Sequence, residues 1–188
     1  MYRLRLFLAI IICLSPSTLS YGQLYFGAGA GYQMPFGTFE ESNNSSMTYI
    51  IQLDNRYYCK FWYGLRIEYS EFEAKDNLAP QTPVYNDILN ITPQIRYNFL
   101  SQNCYDDVVF PYLQAGLSFS SLGRSDSTSR FGIGALAGGG FCYGFSLLNS
   151  CMMLDANVSY NMPNIVIKDE LRDNVQFLHL NLTLNVKL

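Results

Sequence analysis

Five ionisable residues fall on the polar side of an alternating pattern and could form an internal charge network: Asp54, Arg56, Arg66, Glu68 and Arg96. Opposite charges on neighbouring strands can satisfy one another as a ladder, provided that they share one face. A second group offers nucleophile chemistry. The sole histidine, His179, lies among Asn and Thr, and Ser159 and Asp155 sit on a segment just before it. A serine needs a base within hydrogen-bond reach to act as a nucleophile, and this geometry can be built for Ser159. A lone histidine on a polar face is more often interior filling, so no residue is assigned to catalysis. A third group is Cys59, Cys104, Cys142 and Cys151, in or beside three short connections. Cys142 and Cys151 flank one turn with the same parity and form the favoured disulfide, with Cys59 and Cys104 as the remaining pair; four cysteines allow three connectivities. Asp169, Glu170 and Asp173 are interleaved with Lys168 and Arg172, which reads as a solvated loop and not a metal site. No cofactor is implied.

All of these residues must be positioned by strands. From Leu24 onward the apolar residues recur with period two, in eight segments of about ten residues separated by polar or Gly/Pro-bearing stretches. The last is the clearest: Leu178, Leu180, Leu182, Leu184, Val186 and Leu188 alternate with His179, Asn181, Thr183, Asn185 and Lys187. Successive side chains of a strand point to opposite faces, so such a strand must lie between an apolar and a polar medium. Segments around Phe61–Ser70 and Leu89–Phe99 repeat the design, and Tyr49–Tyr57 follows it except at Ile50 and Asn55. Gly27, Gly29 and Gly31, and Gly132, Gly134, Gly138 and Gly140, lie on the polar side. Strand glycines need a reason, and crowding inside a small closed barrel supplies one: they leave volume for long side chains on neighbouring strands.

Composition limits the class. Charged residues make up 14% of the 188, against roughly 25% in soluble domains, while aromatics reach 15%. No apolar run approaches the ~18 residues of a membrane-spanning helix. A net charge of -3 and a pI near 5.0 leave no basic footprint for nucleic acid. At the N-terminus, Arg3 and Arg5 precede the apolar stretch Leu6 to Leu14, with Ser20-Tyr21-Gly22 as a small-residue cleavage signal before Gln23. Residues 1–22 therefore read as a secretory signal peptide and 23–188 as one exported domain.

The apolar faces carry no Asp, Glu, Lys or Arg, and Tyr and Phe concentrate toward strand ends. That pattern fits lipid outside and polar groups inside, with two interfacial aromatic girdles. Unpaired backbone groups in hydrocarbon cost several kcal/mol each, so such a sheet must close with an even strand number. The expected fold is all-β: an eight-stranded antiparallel up-and-down transmembrane β-barrel. Longer connections at 35–46, 72–87, 121–130 and 163–175 would face outside the cell, and shorter ones at 58–60, 100–108 and 145–151 the periplasm. An interior of eight strands is just wide enough for side chains to fill it, which predicts a plugged lumen and not a diffusion pore.

The segments LYFGAGAGYQMPFG, LNITPQIRYNF, FPYLQAGLSF, FGIGALAGGGFCYGF and LDANVSYNM resemble the outer-membrane-protein beta-barrel domain family of Bacteroidetes-type bacteria, akin to small OmpA-like barrels. The resemblance covers nearly all of residues 23–188 but carries no catalytic signature. The chain ends on Leu188, where many such barrels end on an aromatic residue. The expected location is the outer membrane, with outer-membrane lipid and the barrel-assembly machinery as partners, a monomer and a structural or surface-interaction role. No loop residue identifies a partner. Two alternatives from other classes are a lipid A-modifying enzyme and a secreted lipocalin-like carrier of apolar ligands.

Overall fold

The computed structural model describes residues 23–57, 60–75, 85–100, 108–124, 129–148, 150–165 and 175–188. The expected leader, residues 1–22, and the loop residues Lys168, Asp169, Glu170, Arg172 and Asp173 lie outside them. The described chain forms strands β1 (Gln23–Pro35), β2 (Ser46–Arg56), β3 (Phe61–Glu71), β4 (Tyr85–Asn98), β5 (Val109–Arg124), β6 (Ser129–Leu147), β7 (Ser150–Met162) and β8 (Phe177–Lys187), with a short helix α1 (Thr38–Ser42) between the first two. Each strand pairs antiparallel with the next, and β1 pairs with β8, so the sheet is a closed barrel without edges.

The register sets the barrel's geometry. From Ala28, the ladder partners through β2, β3, β4 and β5 lead to Ile133 on β6. In the other direction, through β8 and β7, they lead to Tyr143, ten residues further along β6. A stagger of this size on eight strands tilts them roughly 40° from the axis. The tilt brings side chains from distant strands to one height, which later decides which charges meet.

Alternation is obeyed almost everywhere. Leu180 and Leu182 are 43% and 53% exposed on the outside, whereas Arg66 and Glu68 are fully buried inside. Ile50, the exception in β2, points inward and is buried. Outward aromatics form two bands. Tyr32, Tyr49, Tyr69 and Phe131 lie toward the end bearing the α1 loop, and Phe61, Tyr97, Phe99 and Tyr143 toward the end bearing both ends of the barrel chain. Ring contacts knit the second band, with Phe61–Tyr97 at 5.0 Å and Tyr97–Phe99 at 5.6 Å. Between the bands, Ile51, Leu53, Ile67, Ile95, Leu117, Val158 and the β8 leucines are exposed, and no outward residue there is charged.

Three connections differ from expectation. The stretch 121–130 is mostly not loop, because β5 continues to Arg124 and β6 begins at Ser129. Its Ser and Gly residues look like loop in composition, yet they continue the antiparallel ladder as far as Gly123↔Ser129. Residues 35–46, expected as exposed loop around Glu40 and Glu41, contain α1, whose Phe39 is buried while the two glutamates stay in solvent. Gly37 precedes α1 at φ 61, a left-handed conformation that favours glycine. The turn after β6 is tighter than 145–151, since Leu147 pairs with Ser150. On β4, the ladder toward β5 skips Thr92 and Pro93, where the proline ring has no N–H to donate.

Candidate functional site: a polar lumen between two seals

The inward side chains are overwhelmingly polar, and they sort into two ionic clusters. Nearer the chain-end side, Arg96 of β4 is the hub. Its guanidinium lies 2.7 Å from the Asp155 carboxylate of β7 and 3.7 Å from that of Asp54 of β2. It sits 4.1 Å above the Tyr112 ring and 5.8 Å from Trp62, two cation–π contacts in a desolvated setting. The Tyr112 hydroxyl donates to Asp155 at 2.5 Å, and Gln94 Nε2 donates to Asp54 at 3.2 Å. Arg96 Nη1 also donates toward the Cys142 sulfur at 3.4 Å. Nearer the loop side, Glu68 of β3 lies 3.7 Å from Arg66 and 3.2 Å from His179 Nδ1 of β8. Arg66 donates to Gln52, which itself donates to Asn185 at 2.6 Å.

Glycines make room for these groups. A Cβ at Gly64 would overlap the Asp54 carboxylate, and one at Gly27 or Gly31 would overlap the amide of Asn185 or Asn181. At Gly138 and Gly140 it would strike the β7 backbone beside Ser159 and Asn157. The expected link between inward glycine and polar filling holds at Gly27, Gly31 and Gly64; at Gly29, Gly132, Gly134, Gly138 and Gly140 it is chiefly the neighbouring strand's backbone that takes the space.

Apolar clusters close both ends. On the chain-end side Tyr25, Trp62, Phe110, Tyr112, Cys142, Cys151 and Met153 pack together, with Tyr25 stacked on Trp62 at 5.0 Å. On the loop side Phe39, Phe72, Tyr85, Ile88, Leu122, Val175 and Phe177 do the same. Phe39 meets Phe72 edge-on at 5.1 Å, and Phe177 stacks flat on His179 at 4.6 Å. Backbone hydrogen bonds fasten this seal: Phe36 N–H donates to Gln176 O at 2.8 Å, and Asn44 N–H to Glu73 O at 2.9 Å.

The expected network is therefore brought together in part. Asp54 and Arg96 share one cluster, and Arg66 and Glu68 the other. Arg56 joins neither: it is half-buried at the chain-end rim, 3.4 Å from Gln23. It is the last residue of β2, two positions beyond Asp54, and pairs with Gln23 at the start of β1, so it lies at the rim and not in the ionic layer. Asp155 and His179 complete the clusters instead. Both have inward parity, and parity was the signal available in the sequence; what it omits is height along the axis.

Ser159 is buried and lies opposite His179 in the β7–β8 register. Ser159 Oγ and His179 Nε2 each make no hydrogen bond with the described residues. Asp155, the other acidic candidate, belongs to Arg96 and Tyr112. A carboxylate that orients a histidine is one half of nucleophile chemistry. Here the set is buried, with Phe177 of the loop-side seal stacked on His179.

The favoured disulfide is overturned. Cys151 is disulfide-bonded, but Cys142 carries a free, buried thiol. Cys142 pairs in register with Asp155 and Cys151 with Ser146, so the two cysteines are four residues apart along the hairpin. At about 3.3 Å rise per residue that separation far exceeds the ~4.4–6.8 Å between Cα atoms that a disulfide spans. Cys59 and Cys104 lie outside the described residues, as does the partner of Cys151. Alkylation and mass mapping without reductant are expected to recover Cys142 as a thiol that reacts only after denaturation; labelling of the folded barrel would contradict its burial.

No family model and no curated protein sequence matches the chain. Solved structures do. Neisserial surface protein A (NspA) superposes with a TM-score of 0.60 at 21% identity, covering 88% of this chain and 97% of its own. Ail, the attachment invasion locus protein of Yersinia pestis, gives 0.51 at 12% identity over 89% and 97%. The outer membrane enzyme PagL gives 0.50 at 15% identity over 87% and 99%. At these identities the likeness concerns the fold, and the fold is that of small eight-stranded outer-membrane barrels.

Proposed function

We propose that this chain is an integral outer-membrane β-barrel of the Bacteroidetes-type family that its segments resemble, monomeric and non-enzymatic, with a sealed polar lumen and a structural or surface-interaction role. One observation carries the reading: the exterior between the aromatic bands is aliphatic and uncharged, while Asp54, Arg66, Glu68, Arg96 and Asp155 are all buried inside. In water this arrangement would expose the wrong face; in hydrocarbon the closed ladder pairs the backbone and the lumen shields these five charges. The lumen lacks the apolar interior a lipocalin-like carrier needs. The loops, on the cell exterior, are where a surface role would reside, because a rigid scaffold holds them. The barrel-assembly machinery and outer-membrane lipid are its implied partners.

Membrane fractionation with gel mobility before and after boiling tests the reading. The chain is expected in the outer-membrane fraction with heat-modifiable mobility; a soluble chain would refute it. In planar bilayers the two seals predict no steady large-conductance channel, and such a channel would refute the sealed lumen. Lipid A is expected to be unchanged by the barrel, and hydrolysis that disappears in His179→Ala would establish the enzymatic alternative instead.

A further inference from the structure

The outer wall is not uniformly convex. A groove of about 940 Å³ crosses it obliquely, from Tyr32 and Met47 at the loop-side aromatic band to Phe99 at the opposite band. Ala30, Gly139 and Ala156 lie along it, and Leu113, Phe141 and Leu182 also line it. Its volume falls at the upper end of the ~300–1,000 Å³ of small-molecule sites, far more than one projecting side chain would fill. Its lining is almost wholly apolar, and it spans the aliphatic zone from one band to the other.

The rims differ in charge. Around the chain-end rim the described residues include Arg56, Lys60 and Lys187, and the acids among the described residues on that side, Asp54 and Asp155, are buried in the lumen. The loop side instead carries Glu40, Glu41, Glu71, Glu73 and Asp87 against Lys75, Arg124 and Arg130, so among the described residues it is net acidic. Lys60 is exposed beside the groove's end: its carbonyl accepts from Asn98 N–H at 2.8 Å, and Phe99 follows directly. A basic rim attracts anionic headgroups and an acidic rim repels them.

We propose that the groove holds the acyl chains of one anionic glycerophospholipid whose phosphate rests at Lys60, on the periplasmic side. This rests on the membrane reading above. A second copy of the barrel is a poorer occupant. A two-fold contact centred on the groove would set groove against groove, leaving a void where chains pack. Helix-like close approach through small residues requires a convex partner ridge.

Native mass spectrometry of the detergent-solubilised full chain, with equal phosphatidylglycerol and phosphatidylcholine added, tests the assignment. One phosphatidylglycerol is expected per barrel, preferred about fivefold over phosphatidylcholine. Ala156→Leu, which fills the groove from an exposed position, is expected to lose the retained lipid; Ala30→Leu repeats the test at the other end should the first variant lose its heat-modifiable form. Lys60→Glu is expected to keep a lipid but lose the preference. Equal retention by wild type and the filled variants, no preference in the wild type, or a dimer dissolved by Ala156→Leu would each overturn the assignment. Each of these leaves the membrane reading intact, whereas a chain that stays soluble without detergent removes both.

Discussion

Replacing Arg96 by Met is expected to destabilise the barrel by roughly 3–5 kcal/mol, the cost of removing one partner from a buried ionic cluster. The reason is not the lost attraction alone. Asp155 at 2.7 Å and Asp54 at 3.7 Å are both fully enclosed, and without the guanidinium two carboxylates face each other in a sealed interior. Methionine retains most of the stem's packing, so the effect isolates charge. Arg96→Met with Asp155→Asn is expected to recover part of the loss, since one orphaned carboxylate is gone and the amide can still accept from Tyr112. Arg56→Met at the rim is the control, expected to cost about 1 kcal/mol or less because solvent screens it. Urea unfolding of the refolded barrel in lipid, followed by gel mobility or by the signal of the single tryptophan, Trp62, measures all three. Equal losses for Arg96 and Arg56 would show that the buried cluster has no special weight.

Gly138→Val is expected to abolish the folded form. A Cβ there would run into the Val158 carbonyl and the Ser159 backbone, neither of which can move without parting β6 from β7. Every strand is held from both sides in a closed barrel, so the strain cannot be released at an edge. Ala137→Val, one residue away on the lipid-facing side and exposed, is expected to behave as wild type. The contrast separates inward crowding from strand propensity, since valine is a good strand former in both positions. Gel mobility after refolding gives the result, and a folded Gly138→Val barrel would show that the wall can open.

These two cases also mark what could be read from the chain itself. Strand number, the direction of every side chain in β8 and the polar filling were legible because alternation is local: the backbone sends neighbouring residues to opposite faces whatever else is present. Glycine placement was legible for a related reason, as strands tolerate such runs only where a neighbour needs the space. The seals were less so. Phe39 becomes a stopper only because Gly37 turns the chain into α1 and hydrogen bonds tie that loop to Gln176 and Glu73. Composition had marked the same segment as solvated loop.

The pairing of charges and cysteines was decided by closure. Arg96 finds Asp155 across the lumen from β7, Glu68 finds His179 on β8, Arg56 is left at the rim, and Cys142 is held four places from Cys151. Each outcome depends on height along the axis, and height follows from the ten-residue stagger that accumulates around all eight strands. Alternation alone determined which face each residue occupies; only the closed, tilted sheet determined which residues share a level, because that offset is a property of the whole ring and of no single strand.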